Sequence, residues 1–271
     1  MKKANDQLVC QLPDDSRIKV IGLGGIGCIV LEFLGIFLRS LARPMRLVLV
    51  DGDKFEAANG QRMRFGSAGN KADVKAAETI DWLGPCEVAV VAVPKFVTQE
   101  NIEQLIRPGD IVFLCVDNHP TRKLVSDHCE KLDNVVLFSG GNDGVEPPSQ
   151  RGTYGNVQIH IRHADKDMTA PLTRFHPEIA NPKGKMPTDP DCAQLTQSSP
   201  QILFTNLAVA GAMLNAFFAW TCGQLAYQEV KLDILDARML PQMAIGKGKC
   251  VRQPDVDCLP RAPLQPQAPA S

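Results

Sequence analysis

The stretch IKVIGLGGIGCIVLEFLGIFLRSLARPMRLVLVDGD, Ile18 to Asp53, decides the fold. A β-branched run, Ile18 to Ile21, passes through Gly22, Gly24, Gly25 and Gly27 directly into the apolar-periodic segment Cys28 to Leu41. That order predicts strand, glycine turn and helix, with the helix spanning about Gly27 to Leu41. A second apolar run, Leu47 to Val50, delivers Asp51 and Asp53 at its end and completes a βαβ unit. Such a turn needs glycine, because bare backbone lets a phosphate come closer than a Cβ permits. The N–H groups there sit at the positive end of the following helix, which stabilises an anion without a dedicated basic side chain. Asp51 follows Gly27 at close to the ~20-residue spacing at which a carboxylate can accept from ribose hydroxyls. Glycines that serve only a tight βα turn are the alternative reading.

The chain has 271 residues, 44% hydrophobic and 22% charged, enough for one large α/β domain. A net charge of −1 and the absence of a long Lys/Arg run point away from nucleic acid and from anionic membranes. Nine scattered cysteines, an odd number with no CxxC pair, suggest reduced thiols in a cytoplasm and no structural zinc. The N-terminal MKKANDQLVCQL lacks an apolar core, which argues against secretion. Ile202 to Trp220 is long and apolar, but Thr205, Asn206 and Asn215 interrupt it, and we read it as a buried helix rather than a membrane span.

Outward from the βαβ unit, a polar, glycine-punctuated excursion after Asp53 is expected to cross the mouth of the site, with a helix beginning near Lys71. Strands follow at Val88 to Val93, Ile111 to Val116 and Val135 to Phe138, alternating with helices at Gln99 to Ile106 and Thr121 to Leu132. The alternation predicts a Rossmann-like, doubly wound, mostly parallel α/β sheet. Asp51, Asp117 and Ser139 would stand on its C-terminal edge. Asn156 to Arg162 alternates, with Val157, Ile159 and Ile161 inward against Gln158, His160 and Arg162 outward, which suits a half-exposed antiparallel strand in a late addition to the sheet. His163 to Pro200 has no clear period. The apolar helix and a last strand, Val230 to Leu235, close a domain of residues 1–240, and the Pro-rich remainder, 241–271, reads as a disordered tail.

Four signals then stand in order: GLGGIG at Gly22 to Gly27, VDGDKFEAANGQR at Val50 to Arg62, GNKAD at Gly69 to Asp73, and VDNHPTR at Val116 to Arg122. In that order they resemble the ThiF/MoeB family of ubiquitin-activating-enzyme-like adenylyltransferases. The resemblance implies ATP and Mg2+ as cofactors. It implies as partner a ubiquitin-like or sulfur-carrier protein whose C-terminal glycine carboxylate attacks the α-phosphate. It further implies that Asp53 holds the ribose with Asp51 beside it, that Asn59, Arg62 and Lys71 contact phosphates, that Asp117 binds the metal, and that Asn118 joins the nucleotide-binding set. Arg62 and Lys71 as solvated loop charges, and Asp117-Asn118 as a helix N-cap pair, are the plain alternatives. Cys192, eight positions before Pro200, matches the family's loop cysteine that can take the activated acyl group as a thiolate nucleophile; an inert loop thiol is the other reading. The surplus of apolar surface on Ile202 to Trp220 suggests a homodimer. Two readings compete with the adenylating enzyme: an NAD- or FAD-binding oxidoreductase, and a non-catalytic scaffold of the same fold.

Overall fold

The computed structural model describes residues 8–56, 59–60, 63–143, 151–189 and 202–244. The chain runs β1 (Ser16–Ile21), α1 (Gly25–Ser40), β2 (Met45–Val50), α2 (Lys71–Leu83), β3 (Val88–Val93), α3 (Ile102–Leu105), β4 (Asp110–Leu114), α4 (His119–Cys129) and β5 (Val135–Asn142). It continues through β6 (Tyr154–His163), β7 (Lys166–Asp167), a 3-10 turn (Leu172–Arg174), α5 (Pro177–Ala180), α6 (Leu203–Thr221), β8 (Tyr227–Asp233) and β9 (Arg238–Met243). One sheet takes these strands in the order β3-β2-β1-β4-β5-β6-β8-β9, with β7 paired to β6. From β3 to β5 the pairing is parallel, and from β5 to β9 it is antiparallel. The expected architecture is the one observed.

Alternation along the central strands sends their side chains to two cores. Val20, Leu47, Leu49, Ile111, Phe113 and Phe138 pack under α1, α2 and α6. Ile21, Val48, Val50, Val112, Leu114 and Leu137 pack under the short helices and α4 on the opposite face. A sheet buried on both faces asks for near-continuous apolar strands, which is why these runs are unbroken. α6 lies in the first core: Val209, Met213, Ala216 and Phe217 are buried, and Phe217 meets the rings of Phe113 and Phe138 at centroid distances of 5.4 and 6.0 Å. Its apolar length serves this packing, as the sequence suggested.

Several expectations change in the structure. The helix expected over Gln99 to Ile106 is a single turn, Ile102–Leu105. β5 runs on through Ser139, Gly140 and Gly141 to Asn142, because its partner β6 pairs with it over that whole length. Gln158 and His160 of β6 point into protein, at 6% and 0% exposure, rather than outward. The aperiodic segment after β6 folds back over that face: Gln158 donates to Leu172 O, and His160 Nε2 meets Asp167 Oδ1 at 2.8 Å. The domain does not stop at residue 240, since Pro241 to Met243 belong to β9. Pro241 is tolerated there because β9 is an edge strand, where a missing N–H costs no ladder bond on the open side. The rest of the expected tail, from residue 245, lies outside the described residues.

Candidate functional site

The parallel strands end together at one edge, and a cavity of about 450 Å³ opens there. Its walls come from the β1–α1 turn (Gly22, Gly24, Gly25), the β2 end (Asp51, Gly52, Asp53), Asn59, Lys71, the β3 end (Lys95, Phe96), the β4 end (Asp117, Asn118) and the β5 end (Gly140, Gly141, Asn142). This is where open α/β sheets place ligands, at the point where strand order reverses about β1 and β4.

The turn is shaped by contacts that exclude side chains. Gly22 has φ +88°, and a Cβ on it would lie 2.9 Å from the Cys115 carbonyl carbon. Gly27 packs so closely that its Cβ would meet Gly22 O at 1.9 Å, so this glycine closes helix against turn and forms no part of the cavity wall. At Gly24, by contrast, a Cβ would find nothing within 4 Å. Gly24 is also the N-cap of α1, which has no side-chain cap and no acidic residue in its first turn. Unsatisfied N–H groups facing an open space suit a polyphosphate.

Asp51, which its spacing put forward for the ribose, lines the cavity and already serves the backbone. Its carboxylate, 8% exposed, accepts from Leu23 N at 2.6 Å and from Asp53 N at 2.8 Å. It therefore clips the glycine turn to the end of β2. Burial raises its pKa from the ordinary aspartate value, and Lys71 and the two amide donors oppose that rise. Asp53 is the carboxylate that faces solvent, with 55% of its side chain exposed. Its partner is Lys71, whose Nζ lies 3.0 Å from Asp53 Oδ2 while its stem is buried. Lys71 opens α2, the wrong end of a helix dipole for a cation, so its place there is set by the cavity and not by the helix. Asn70, which the sequence reading passed over, fixes this corner. Its Oδ1 accepts from Ala72 N and Asp73 N as the α2 cap, and its Nδ2 donates to Asp51 O at 3.0 Å.

Asn59 is buried against the cavity, with Oδ1 accepting from Glu56 N at 3.1 Å. Asn118, expected among the nucleotide contacts, spends its Oδ1 on Thr121 N at 2.9 Å as the cap of α4. Asp117 remains exposed beside it. Arg62 and Cys192 lie outside the described residues.

Arg122, the last residue of the VDNHPTR motif, has a structural role that the motif does not disclose. It is 8% exposed, and its guanidinium donates to Val116 O at 3.1 and 2.9 Å and to Gly140 O at 2.8 Å. β4 and β5 part company after the Leu114–Ser139 pair, and the guanidinium fills the opening. Gly141 must be glycine here, since a Cβ would sit 2.1 Å from Arg122 Nη2. Arg122→Met keeps the stem but orphans both carbonyls, an expected loss of about 2 kcal/mol. Thermal unfolding would show it as a melting temperature lower by roughly 5 °C; an unchanged melting temperature would refute this role. Lys95 and Lys185 also reach the cavity wall. Lys95 was findable as a cation just past an apolar strand, whereas Lys185 lies in the stretch without a period.

Burial pushes the Cys28 and Cys115 thiols up to about 12, and Cys129 also upward.

The fold and this cavity define a Rossmann-like α/β protein whose glycine turn, lysines and exposed carboxylates meet at one sheet edge. The chain belongs to the ThiF family, which it matches over residues 9–245. Among curated relatives it is similar to the adenylyltransferase and sulfurtransferase MOCS3 of Drosophila sechellia, with 32% identity over 147 residues, 52% of this chain and 30% of that protein. The SAMP-activating enzyme E1 of Haloferax volcanii is 30% identical over 46% of this chain and 45% of its own length. The sulfur carrier protein adenylyltransferase of Thermus thermophilus is 32% identical over 45% of this chain and 44% of its own. The chain thus spans less than half the length of these relatives. Among solved structures, E. coli MccB crystallised with AMPCPP and MccA superposes with a TM-score of 0.61 at 15% identity, covering 88% of this chain and 67% of that one.

Proposed function

We propose that the protein is an ATP-dependent adenylyltransferase that activates the C-terminal carboxylate of a ubiquitin-like or sulfur-carrier protein. The observation that carries this reading is the convergence of the uncapped α1 terminus, the Asp53–Lys71 pair and the exposed Asp117 on one cavity. Relatives named as adenylyltransferases, one of them for a sulfur carrier protein, support it. Asp53 accepts from the ribose. The α1 turn amides, Asn59, Lys71 and Arg62 take the phosphates and gather negative charge that would otherwise repel the incoming carboxylate. A carboxylate oxygen forms a bond to the α-phosphorus, the bond to the bridging oxygen breaks, and pyrophosphate leaves. The nucleophile is already ionised, so the step needs no general base.

Among the described residues no group of three or more His, Cys, Asp or Glu side chains stands together as a metal cage. One exposed carboxylate, Asp117, beside a phosphate site fits Mg2+, which takes one or two carboxylates and completes its shell with phosphate oxygens and water. When bound, the ion neutralises charge on the phosphates. We take Cys192 as the acceptor of the acyl group, and a cytoplasm as the setting.

The assembly proposed is a homodimer. α1 and α6 pack side by side, Phe37 edge-on to Phe217 and Phe218, and they expose Phe33, Ile36, Leu203, Phe204 and Leu207 together. Light scattering is expected to return twice the 29.5 kDa chain mass, and a monomer at micromolar concentration would contradict it.

The deciding experiment is ATP–pyrophosphate exchange with purified ubiquitin-like proteins ending in Gly-Gly. Exchange dependent on the protein tail supports the function. ATP bound without exchange, across all such partners, would leave a scaffold.

A further inference from the structure

The sheet order lays out the cavity from end to end. Asp53 and Phe96 stand at the β2 and β3 tips, the phosphate turn at β1, Asp117 at β4, and Gly140 to Asn142 at β5. On the proposed reading the nucleoside takes the first end, so the acyl chain must arrive over the last. That last end has two features the activation of a bare carboxylate does not use.

The first is a free strand edge. Asp143 N donates to Tyr154 O, and hydrogen-bonded pairs alternate along an antiparallel ladder, so the N–H and C=O of Gly140 and Asn142 turn away from β6. On that side β4 ends opposite Ser139. Arg122 takes the Gly140 carbonyl. The edge at Asn142 opens to the cavity, in a pattern that an extended peptide can meet. The second is a pair of amides. Asn142 lines the cavity and its Nδ2 donates to Asn206 Oδ1 at 2.8 Å. Asn206 is fully buried in the first turn of α6, over Gly25, and its own Nδ2 has no hydrogen-bond partner. A buried amide with an unsatisfied donor costs about 1–3 kcal/mol, more than packing alone would justify at a site an alanine could fill.

We propose that Asn142 is a specificity-determining residue that reads the acyl chain, its Oδ1 accepting from the amide N–H of the C-terminal glycine itself. With Nδ2 engaged on Asn206, Oδ1 is the end of the amide that can meet a donor. Asn206 is a positioning residue that fixes which end faces the cavity. The substrate class that follows is a peptide tail whose last residue joins the chain through a secondary amide. A tail with an N-methylated or prolyl-type nitrogen there is rejected. This rests on the adenylation reading.

The test uses stable mimics of the acyl-adenylate, titrated into the full chain by calorimetry: 5′-sulfamoyladenosine alone, and its N-acetylglycyl and N-acetylsarcosyl derivatives. The last two differ only in whether the critical nitrogen carries hydrogen. Wild type is expected to bind the acetylglycyl compound about tenfold tighter than the acetylsarcosyl one, the worth of one hydrogen bond. Asn142→Ala should bind both alike while holding sulfamoyladenosine as wild type does, which also reports that it is folded. Asn206→Ala should narrow the preference, and Asn206→Asp, which keeps the acceptor for Asn142, should restore it. Equal binding of the two derivatives by wild type, or a preference that survives Asn142→Ala, overturns the role of Asn142 and leaves adenylation standing. Failure of wild type to bind sulfamoyladenosine at all overturns both.

Discussion

Asp117→Ala is expected to reduce ATP–pyrophosphate exchange by about 10³-fold, a loss of several kcal/mol of charge stabilisation. Its melting temperature should stay within about 1 °C of wild type. The two halves of this expectation come from one observation. Asp117 is exposed just past β4 and makes no hydrogen bond among the described residues; its charge favours the buried Arg122 guanidinium, but across solvent that attraction is weak, so the folded state loses little when the carboxylate goes. Capping of α4 survives because Asn118, not Asp117, accepts from Thr121 N. The field at the phosphates does change, since the only side chain proposed to hold the metal is removed. Exchange rates measured over a range of Mg2+ concentrations separate this from a nucleotide-binding defect: excess metal should recover part of the wild-type rate. Exchange at the wild-type level in the variant would remove Asp117 from the reaction.

The sequence exposed the frame of this molecule better than its details. β1, α1 and β2 were readable to within two residues because glycine spacing and apolar runs are local signals, and β3 was readable in full. β9 was invisible for a physical reason: every one of its residues is exposed, so no inward-outward alternation exists to be seen. The last residues of β5 were hidden by glycines, whose strand conformation comes from β6 and not from their own propensity. Gln158 and His160 looked outward-facing because the segment that covers them has no period of its own. At the site, strand ends pointed to Asp51 and Asp117, while Asp53 and Lys71 came from the order of motifs, and all four line the cavity. The resemblance set Asp51 beside Asp53, but that Asp51 ties the glycine turn could not be read, because it depends on the turn folding back to bring Leu23 N within 2.6 Å of Asp51. Arg122 stood in a quoted motif, yet its role follows only from the place where β4 and β5 separate.

Lys71→Ala carries the second large effect, an expected fall of about 10² to 10³ in exchange, as for loss of one preorganised donor to a developing charge. Here the stability term has a sign that distinguishes explanations. The Lys71–Asp53 contact joins an 11% exposed cation to a 55% exposed carboxylate, a half-solvated pair worth at most about 1 kcal/mol. A cation at the first position of α2 is also unfavourable to the helix dipole by a few tenths of a kcal/mol. The helix term offsets part of the pair, but Lys71 also favours the buried Asp51 carboxylate, so Lys71→Ala should melt only slightly below wild type while losing most of its activity. Lys71→Arg keeps the charge but replaces a compact ammonium with a planar fork at a crowded corner, and should recover only part of the rate. The KM for ATP should rise in both variants, because Lys71 meets the phosphates before as well as during the reaction. If instead Lys71→Ala unfolds several degrees earlier and exchanges normally once folded, the lysine is a structural tie between β2 and α2, and the phosphates are held by the turn alone.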